Sequence, residues 1–127
     1  MWKIKRLTKD YTIVSLTEDL IKFYKSKDNM LSHTRFIKGK TNGFMLLDSK
    51  KSLIGYIAWE NDFITAFEVT KDNRGKGFGS YILGRALQKG ANKLSVNKNN
   101  KSAVNLYTKL GWEVYEQRGQ MLFMSYK

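Results

Sequence analysis

A turn rich in glycine and basic residues is the first feature of the sequence that could do chemistry. Residues 74–80 read Arg-Gly-Lys-Gly-Phe-Gly-Ser, and the flanking patterns indicate a strand before the turn and a helix after it. Glycines at alternate positions let the backbone turn tightly and approach a ligand closely. Because N–H groups at a helix start attract anions, the turn predicts a phosphate or pyrophosphate site, to which Arg74 and Lys76 add charge.

Two common phosphate-binding patterns do not account for this turn. The P-loop pattern G-x-x-x-x-G-K-[ST] is absent. A dinucleotide fingerprint would need glycine where Ser80 stands, and an acidic residue about 20 positions later. No Asp or Glu occurs from Asn73 to Trp112, whereas those 40 residues contain eight Lys or Arg. The segment suits a ligand with several phosphates or a nucleic-acid backbone; a purely structural turn with a solvated basic face is the third interpretation.

The elements that must position this turn follow from the hydrophobic pattern. Alternation predicts a strand at 2–7, and helical spacing predicts a helix at 15–24, whereas 26–43 is ambiguous between a short helix and a loop. A meander of three strands is predicted at 44–47, 53–59 and 63–70. A helix from Gly79 to Gly90, a strand at 94–96, a helix between Asn100 and Gly111, and a hairpin of 112–115 with 121–126 complete the chain. Helices that interrupt a mostly antiparallel run indicate a mixed α/β sheet.

Length and composition exclude several classes of protein. A chain of 127 residues predicts a single domain, 1–127. Without Cys there is no disulfide, thiolate metal site or Cys nucleophile, and with His33 as the one histidine a conventional zinc enzyme is not expected. The net charge of +12 predicts an anionic ligand. The sequence has neither a signal peptide nor an apolar run long enough for a membrane span, so we expect a cytoplasmic protein.

A second segment, Asn100 to Trp112, identifies a family when it is taken with the turn. It reads Asn-Lys-Ser-Ala-Val-Asn-Leu-Tyr-Thr-Lys-Leu-Gly-Trp, which has the form N-x-x-A-x-x-[LF]-Y-x-x-x-G-[FW]. The turn has the form [QR]-x-x-G-x-[GA]. In this order the two motifs resemble the GNAT superfamily of acyl-CoA-dependent N-acyltransferases. The likeness extends over the whole chain through the element order, with its specific residues in 63–112.

The resemblance implies the fold and the binding site. The fold would be mixed α/β (α+β), with a central, mostly antiparallel sheet of six to seven strands, splayed between the fourth and fifth strands and flanked by helices. Acetyl-CoA would lie in that opening, without a metal. Backbone groups near Val69 would bind the pantetheine arm and stabilise the thioester oxyanion, and N–H groups of the turn would hold the pyrophosphate. The implied cofactor-binding residues are Val69, Thr70, Arg74, Gly75, Lys76, Gly77, Phe78, Gly79, Ser80, Asn100, Ala103 and Tyr107.

The resemblance also implies a general acid, Tyr107, beside the thioester sulfur. This role suits a phenol, which is protonated at neutral pH and can donate to a departing thiolate. A core tyrosine on the helix stripe is the compatible structural interpretation.

The general base is less clear, because Phe63 and Ser95 stand where relatives carry a Glu. Glu68 remains, expected on the same strand face as Ile64 and Ala66. A cross-strand ion pair of Glu68, a role for Asp62 or Glu60, and a water relay stay open as alternatives.

The expected function is therefore transfer of an acetyl group from acetyl-CoA to a primary amine by direct attack, since no Cys could carry an acyl group. The acceptor is open between a protein amine, a small amine and aminoacyl-tRNA. We expect a monomer or homodimer that does not bind membranes, and His33 is a weak candidate for a contact with the acceptor. The alternatives are an inactive GNAT-fold protein that binds CoA, and a basic nucleic-acid-binding module.

Overall fold

The computed structural model describes residues 10–27 and 42–127, which form a seven-stranded sheet with helices packed on both faces. The elements, in chain order, are β1 (Thr12–Ser15), α1 (Glu18–Lys27), β2 (Asn42–Leu47), β3 (Leu53–Glu60), β4 (Phe63–Val69), a short 3-10 helix (Lys71–Asn73), α2 (Phe78–Gln88), β5 (Lys93–Asn97), α3 (Lys101–Lys109), β6 (Glu113–Arg118) and β7 (Met121–Ser125).

The sheet has the strand order β1-β2-β3-β4-β5-β7-β6. Short connections join β2, β3 and β4, so these strands form an antiparallel meander. The pair β4–β5 is parallel, because α2 crosses over between them, and it is paired only at Phe63 and Lys93. The two strands therefore separate towards their carboxyl ends. The expected fold, a mostly antiparallel sheet splayed between its fourth and fifth strands, is confirmed.

The amino-terminal part of the chain differs most from the sequence-based prediction. The strand Thr12–Ser15 was not predicted; it pairs with β2, where Ile13 lies opposite Leu46. Four residues are too few for a clear alternation, and the pairing with β2 is what defines them as a strand. The predicted strand at 2–7 lies outside the described residues, as do His33 and most of the ambiguous segment 26–43.

Local signals explain where the helices begin and end. The N–H of Leu20 donates to Thr17 Oγ1 at 3.2 Å, which caps α1. Asn100 caps α3 as expected, since its Oδ1 accepts from the N–H of Ala103 at 3.3 Å. Gly111 follows α3 with φ +101°, a left-handed conformation that ends the helix. No helix among residues 10–27 and 42–127 is long and apolar enough to cross a membrane.

Two hydrophobic cores lie on opposite faces of the sheet. The first, here called the α2–α3 core, buries Ile82 and Leu83 of α2 together with Trp112 against the sheet. The second, the α1 core, buries Tyr24 of α1 and Met45 of β2. The buried members of the α1 core on the sheet come from β2, β3 and β4.

A β-bulge in β4 changes which residues share a face. Ala58 pairs with Ala66 but Trp59 pairs with Ile64, so Thr65 is an extra residue on β4. As a result Ile64 packs in the α2–α3 core, whereas Ala66 packs in the α1 core. The expectation that Glu68 shares a face with both of them is therefore wrong for Ile64, because the inserted residue reverses the alternation.

Candidate functional site

The site lies in the opening between β4 and β5. A cavity of 690 Å³ and a second of 520 Å³ border this opening. Both are lined by Phe67 of β4 and by Asn100, Ala103 and Tyr107 at α3. These shared residues, here called the neck, lie between the two cavities. They are at the carboxyl ends of the parallel strands, where ligands of such sheets usually bind.

The larger cavity brings together most of the residues expected at the site. Of the thirteen candidates, it is lined by Glu68, Val69, Arg74, Gly75, Gly77, Gly79, Ser80, Asn100, Ala103 and Tyr107. Residues separated by up to 39 positions in the sequence thus border a single cavity, because α2 and α3 both begin at the open ends of β4 and β5.

Three candidates do not line that cavity. Thr70 is buried, and its Oγ1 accepts a hydrogen bond from Asn73 Nδ2 at 2.5 Å. The ring of Phe78 is buried in the α2–α3 core, with its edge towards Tyr11 at a centroid distance of 5.4 Å. Lys76 lines a separate cavity of 320 Å³. For Thr70 and Phe78, an interaction with a ligand in the larger cavity would have to come from the backbone, whereas the exposed side chain of Lys76 adds positive charge near the turn.

The glycine-rich turn leaves the start of α2 without a side-chain cap. Gly77 holds the N-cap position at φ +88°, and no side chain accepts from the first turn of the helix. The N–H of Tyr81 donates to the carbonyl oxygen of Gly77 at 3.1 Å. The earlier N–H groups have no partner within a helix and point out of its end, which is the arrangement that generally attracts anions.

The glycines of the turn have different physical roles. At Gly75 (φ +75°) and Gly77, an added Cβ would contact nothing within 4 Å, so lack of space does not require glycine there. The left-handed backbone requires it, because other residues rarely adopt that conformation. At Gly79, an added Cβ would lie 3.6–3.9 Å from Phe67, Val69 and Leu106. Those are ordinary contacts, so alanine fits there, in agreement with the Gly-or-Ala position of the motif.

Arg74 ties the turn to the end of β4. Its Nε donates to the carbonyl oxygen of Val69 at 3.0 Å. This backbone acceptor was expected to be among the groups available to a ligand, and it is already hydrogen bonded to the arginine side chain. The guanidinium is otherwise exposed at the cavity, so Arg74 both stabilises the strand end and contributes positive charge.

Tyr107 is held in the neck between the two cavities. Its ring packs 6.2 Å from the ring of Trp112, which is 2% exposed, and the N–H of Trp112 donates to its carbonyl oxygen at 2.9 Å. Burial raises the pKa of the Tyr107 phenol to about 12, because the ionised form is poorly solvated there. The phenol is therefore fully protonated at neutral pH.

Glu68 has a partner that sequence reasoning missed. The hydroxyl of Tyr56, on the neighbouring strand β3, donates a short hydrogen bond to Glu68 Oε1. Tyr56 lies directly opposite Glu68 in the register of β3 and β4 and is 1% exposed. The residue opposite Glu68 in this register is therefore a buried phenol.

Glu68 and Tyr107 approach the opening from opposite faces of the sheet. Tyr56, which holds Glu68, belongs to the α1 core, whereas Tyr107 packs against the α2–α3 core. Both residues nevertheless line the larger cavity. A carboxylate on one side and a protonated phenol on the other are suited to removing a proton from one reactant and giving a proton to the other.

A mixed sheet that is splayed between two parallel strands, with an uncapped helix start at the opening, is the architecture that the two sequence motifs predicted. The family model described as the acetyltransferase (GNAT) domain matches residues 9–124. The chain belongs to this family.

Solved structures with the same fold are distant in sequence. Mutant forms of the spermidine/spermine N-acetyltransferase SpeG from Vibrio cholerae superpose with a TM-score of 0.66 at 19% identity, over 91% of this chain and 93% of that chain. The apo form of YjaB from Escherichia coli gives a TM-score of 0.66 at 16% identity, over 92% of this chain and 97% of that chain. No curated protein sequence matches the chain significantly. The structural likeness shows the fold alone.

Proposed function

We propose that the chain is an N-acetyltransferase that transfers an acetyl group from acetyl-CoA to a primary amine by direct attack. The observation that carries the proposal is that the uncapped start of α2 behind Gly77 and the partly buried, protonated Tyr107 border one cavity. A potential anion site and a proton donor along one cavity match a cosubstrate with a pyrophosphate at one position and a thioester at another.

The residues present fit acetyl-CoA by their chemistry. The backbone N–H groups from Gly75 to Ser80 would hold the pyrophosphate, with the positive charges of Arg74 and Lys76 nearby. The pantetheine arm would lie between β4 and β5, where the backbone at Val69 and Thr70 and the side chains of Asn100 and Ala103 would bind it. Asn100 Oδ1 is already engaged in capping α3, so the side chain is fixed in orientation.

The proton transfers assign roles to two side chains. An amine with a pKa near 10.4 costs about 4.6 kcal/mol to deprotonate at pH 7. Glu68, oriented by the Tyr56 hydroxyl, would accept this proton directly or through a water molecule. The amine then attacks the thioester carbonyl, the carbon–sulfur bond breaks, and the Tyr107 hydroxyl protonates the departing thiolate, which leaves as CoA with a free thiol. The attacking nitrogen loses its second proton as the amide forms, and this proton restores the Tyr107 phenol.

A thiol-release assay tests the function directly. The protein contains no Cys, so a thiol reagent detects only released CoA, and calorimetry with acetyl-CoA measures binding separately. We expect binding together with amine-dependent thiol release. Tyr107→Phe should lower kcat about a hundredfold, within the usual range for losing a general acid, with little change in acetyl-CoA affinity.

Glu68→Gln, assayed in parallel, tests the base and should lower kcat most at neutral pH, where the amine is protonated. Binding of acetyl-CoA without thiol release from any amine would favour the inactive CoA-binding alternative. A failure to bind acetyl-CoA at millimolar concentration would overturn the proposal.

A further inference from the structure

Three aromatic residues form a continuous strip on one face of the sheet. The ring of Phe63 lies 6.4 Å from that of Phe123, which in turn lies 6.4 Å from that of Tyr115. The guanidinium of Arg118 sits over the Phe123 ring, 5.1 Å from its centroid. We call Phe63, Phe123 and Tyr115 the aromatic strip.

The aromatic strip lies on the same face of the sheet as Glu68. Leu122 and Met124, on either side of Phe123 in β7, pack in the α2–α3 core, so Phe123 points to the other face. That other face is where Tyr56 holds Glu68. Tyr115 is 51% exposed at the outer end of the strip, so the strip is open to solvent.

The inner end of the aromatic strip opens into the smaller cavity of the site. Phe63 lines that cavity together with Met121 and Tyr107. Among the described residues, those that line this cavity are apolar or neutral polar. Two carboxylates beside the strip are paired, Asp62 with Lys93 at 3.1 Å and Glu116 with Arg118. A third, Glu113, lies opposite Ser125 on the same face, so this face offers few carboxylates to a ligand with several positive charges.

We infer that the acceptor is a primary monoamine carried on an aromatic or apolar body, which lies on the aromatic strip while the amino group enters the smaller cavity that Tyr107 also lines. This inference rests on the proposed function. A polyamine needs several carboxylates to replace the hydration of its charges, and this approach offers it mainly rings. An apolar body gains by covering ring surface that otherwise faces water.

Three amines that share a primary amino group but differ in the body that carries it test the inference. They are 2-phenylethylamine, ethylamine and spermidine, each assayed with saturating acetyl-CoA. We expect kcat/KM for 2-phenylethylamine to exceed that for ethylamine by about tenfold or more, because of the apolar area that the ring covers. We expect kcat/KM for spermidine to be lower than that for 2-phenylethylamine as well. Preference for spermidine would overturn the inference and leave the proposed function standing, whereas no thiol release with any amine would overturn both.

A matched pair of variants shows whether the aromatic strip causes the preference. Tyr115 (51% exposed) and Val114 (49% exposed) are neighbours on β6. Tyr115 contacts Phe123, but Val114 pairs with Met124 of the α2–α3 core and so faces the other side. Tyr115→Ser should reduce the ratio of kcat/KM between 2-phenylethylamine and ethylamine to a third or less, and Tyr115→Phe should restore it.

Val114→Ser, which removes exposed apolar surface from the opposite face of the sheet, should leave that ratio unchanged. An equal fall of the ratio in both variants would overturn the inference. The inference would also be overturned if Tyr115→Ser changed the oligomeric state, measured by analytical ultracentrifugation, but left the ratio of kcat/KM unchanged. The strip would then be a contact between copies of the chain.

Discussion

At the scale of single residues, two side chains that line the cavity, Tyr107 and Glu68, are held by different physical effects. Tyr107 keeps its proton because burial makes the phenolate costly. Glu68 is a carboxylate that a buried phenol of β3 orients by donating to it. Desolvation thus keeps Tyr107 a proton donor, and the hydrogen bond from Tyr56 orients Glu68 as an acceptor. The proposed roles of acid and base require such a difference between the two groups.

The pKa of Tyr107 predicts how stability depends on pH. Folding raises this pKa from 10.0 to about 12, so between these pH values the folded chain binds more protons than the unfolded chain. The free energy of unfolding therefore falls as pH rises through this window, and the contribution of Tyr107 is complete below about pH 10. The difference in free energy of unfolding between the wild type and Tyr107→Phe should shrink by about 2 kcal/mol from pH 9 to pH 12.

Urea unfolding followed by tryptophan fluorescence measures this difference. Tyr115→Phe, which alters a half-exposed tyrosine, controls for the general effects of alkaline pH. A difference for Tyr107→Phe that stays constant across the window would show that the phenol is solvated in the folded protein.

At the scale of elements, the turn before α2 is the part whose conformation matters most for binding. Its left-handed glycines are required by φ, whereas Gly79 sits in the helix with room for a methyl group. Arg74 then fastens the turn to β4 through the Val69 carbonyl oxygen. The anion site is therefore fixed to the sheet at one end and to α2 at the other.

Two glycine-to-alanine variants distinguish the requirement for a left-handed backbone from the requirement for space in this turn. Gly77→Ala should lower stability by about 1 kcal/mol, because the left-handed conformation strains any L-residue, and should weaken acetyl-CoA binding by displacing the N–H groups that follow. Gly79→Ala should leave stability unchanged or raise it by up to about 1 kcal/mol, since alanine favours the helix.

Chemical denaturation and calorimetry with acetyl-CoA measure both effects. If the two variants change the free energy of unfolding equally, the positive φ at Gly77 does not explain why glycine stands there.

At the scale of the whole molecule, charge and architecture act on the same ligand. The chain carries a net charge of +12, and of the eight basic side chains between Asn73 and Trp112 only Lys93 forms an ion pair with another described residue. The long-range field should therefore attract phosphate groups to the open edge of the sheet.

This field predicts that acetyl-CoA affinity depends on salt. The Kd should rise several-fold between 50 and about 300 mM NaCl, because added ions screen exposed charges. Lys76→Gln, in the turn, should weaken binding and flatten the salt dependence more than Lys109→Gln at the far end of α3. Calorimetry at a series of salt concentrations measures both, and a Kd that does not change with salt would show that the field plays no part in binding.

The sequence alone determined what depends on local chemistry. The glycine-rich turn, the Asn100 cap, the glycine that ends α3 and the element order from β2 onwards all follow from residues a few positions apart, where sterics and hydrogen bonding act directly. Together with the two motifs they were sufficient to identify the family and the fold.

Only the tertiary structure decided which residues face each other across the sheet. Continued from the turn at Asn61 and Asp62, a regular register would place Tyr56 opposite Phe67. The bulge at Thr65 shifts it by one residue and places Tyr56 opposite Glu68. Whether a strand bulges depends on how two cores pack on its two faces, which is a balance among distant residues. For the same reason the hydrogen bond from Arg74 to Val69 and the joining of Phe63, Phe123 and Tyr115 were not readable in advance.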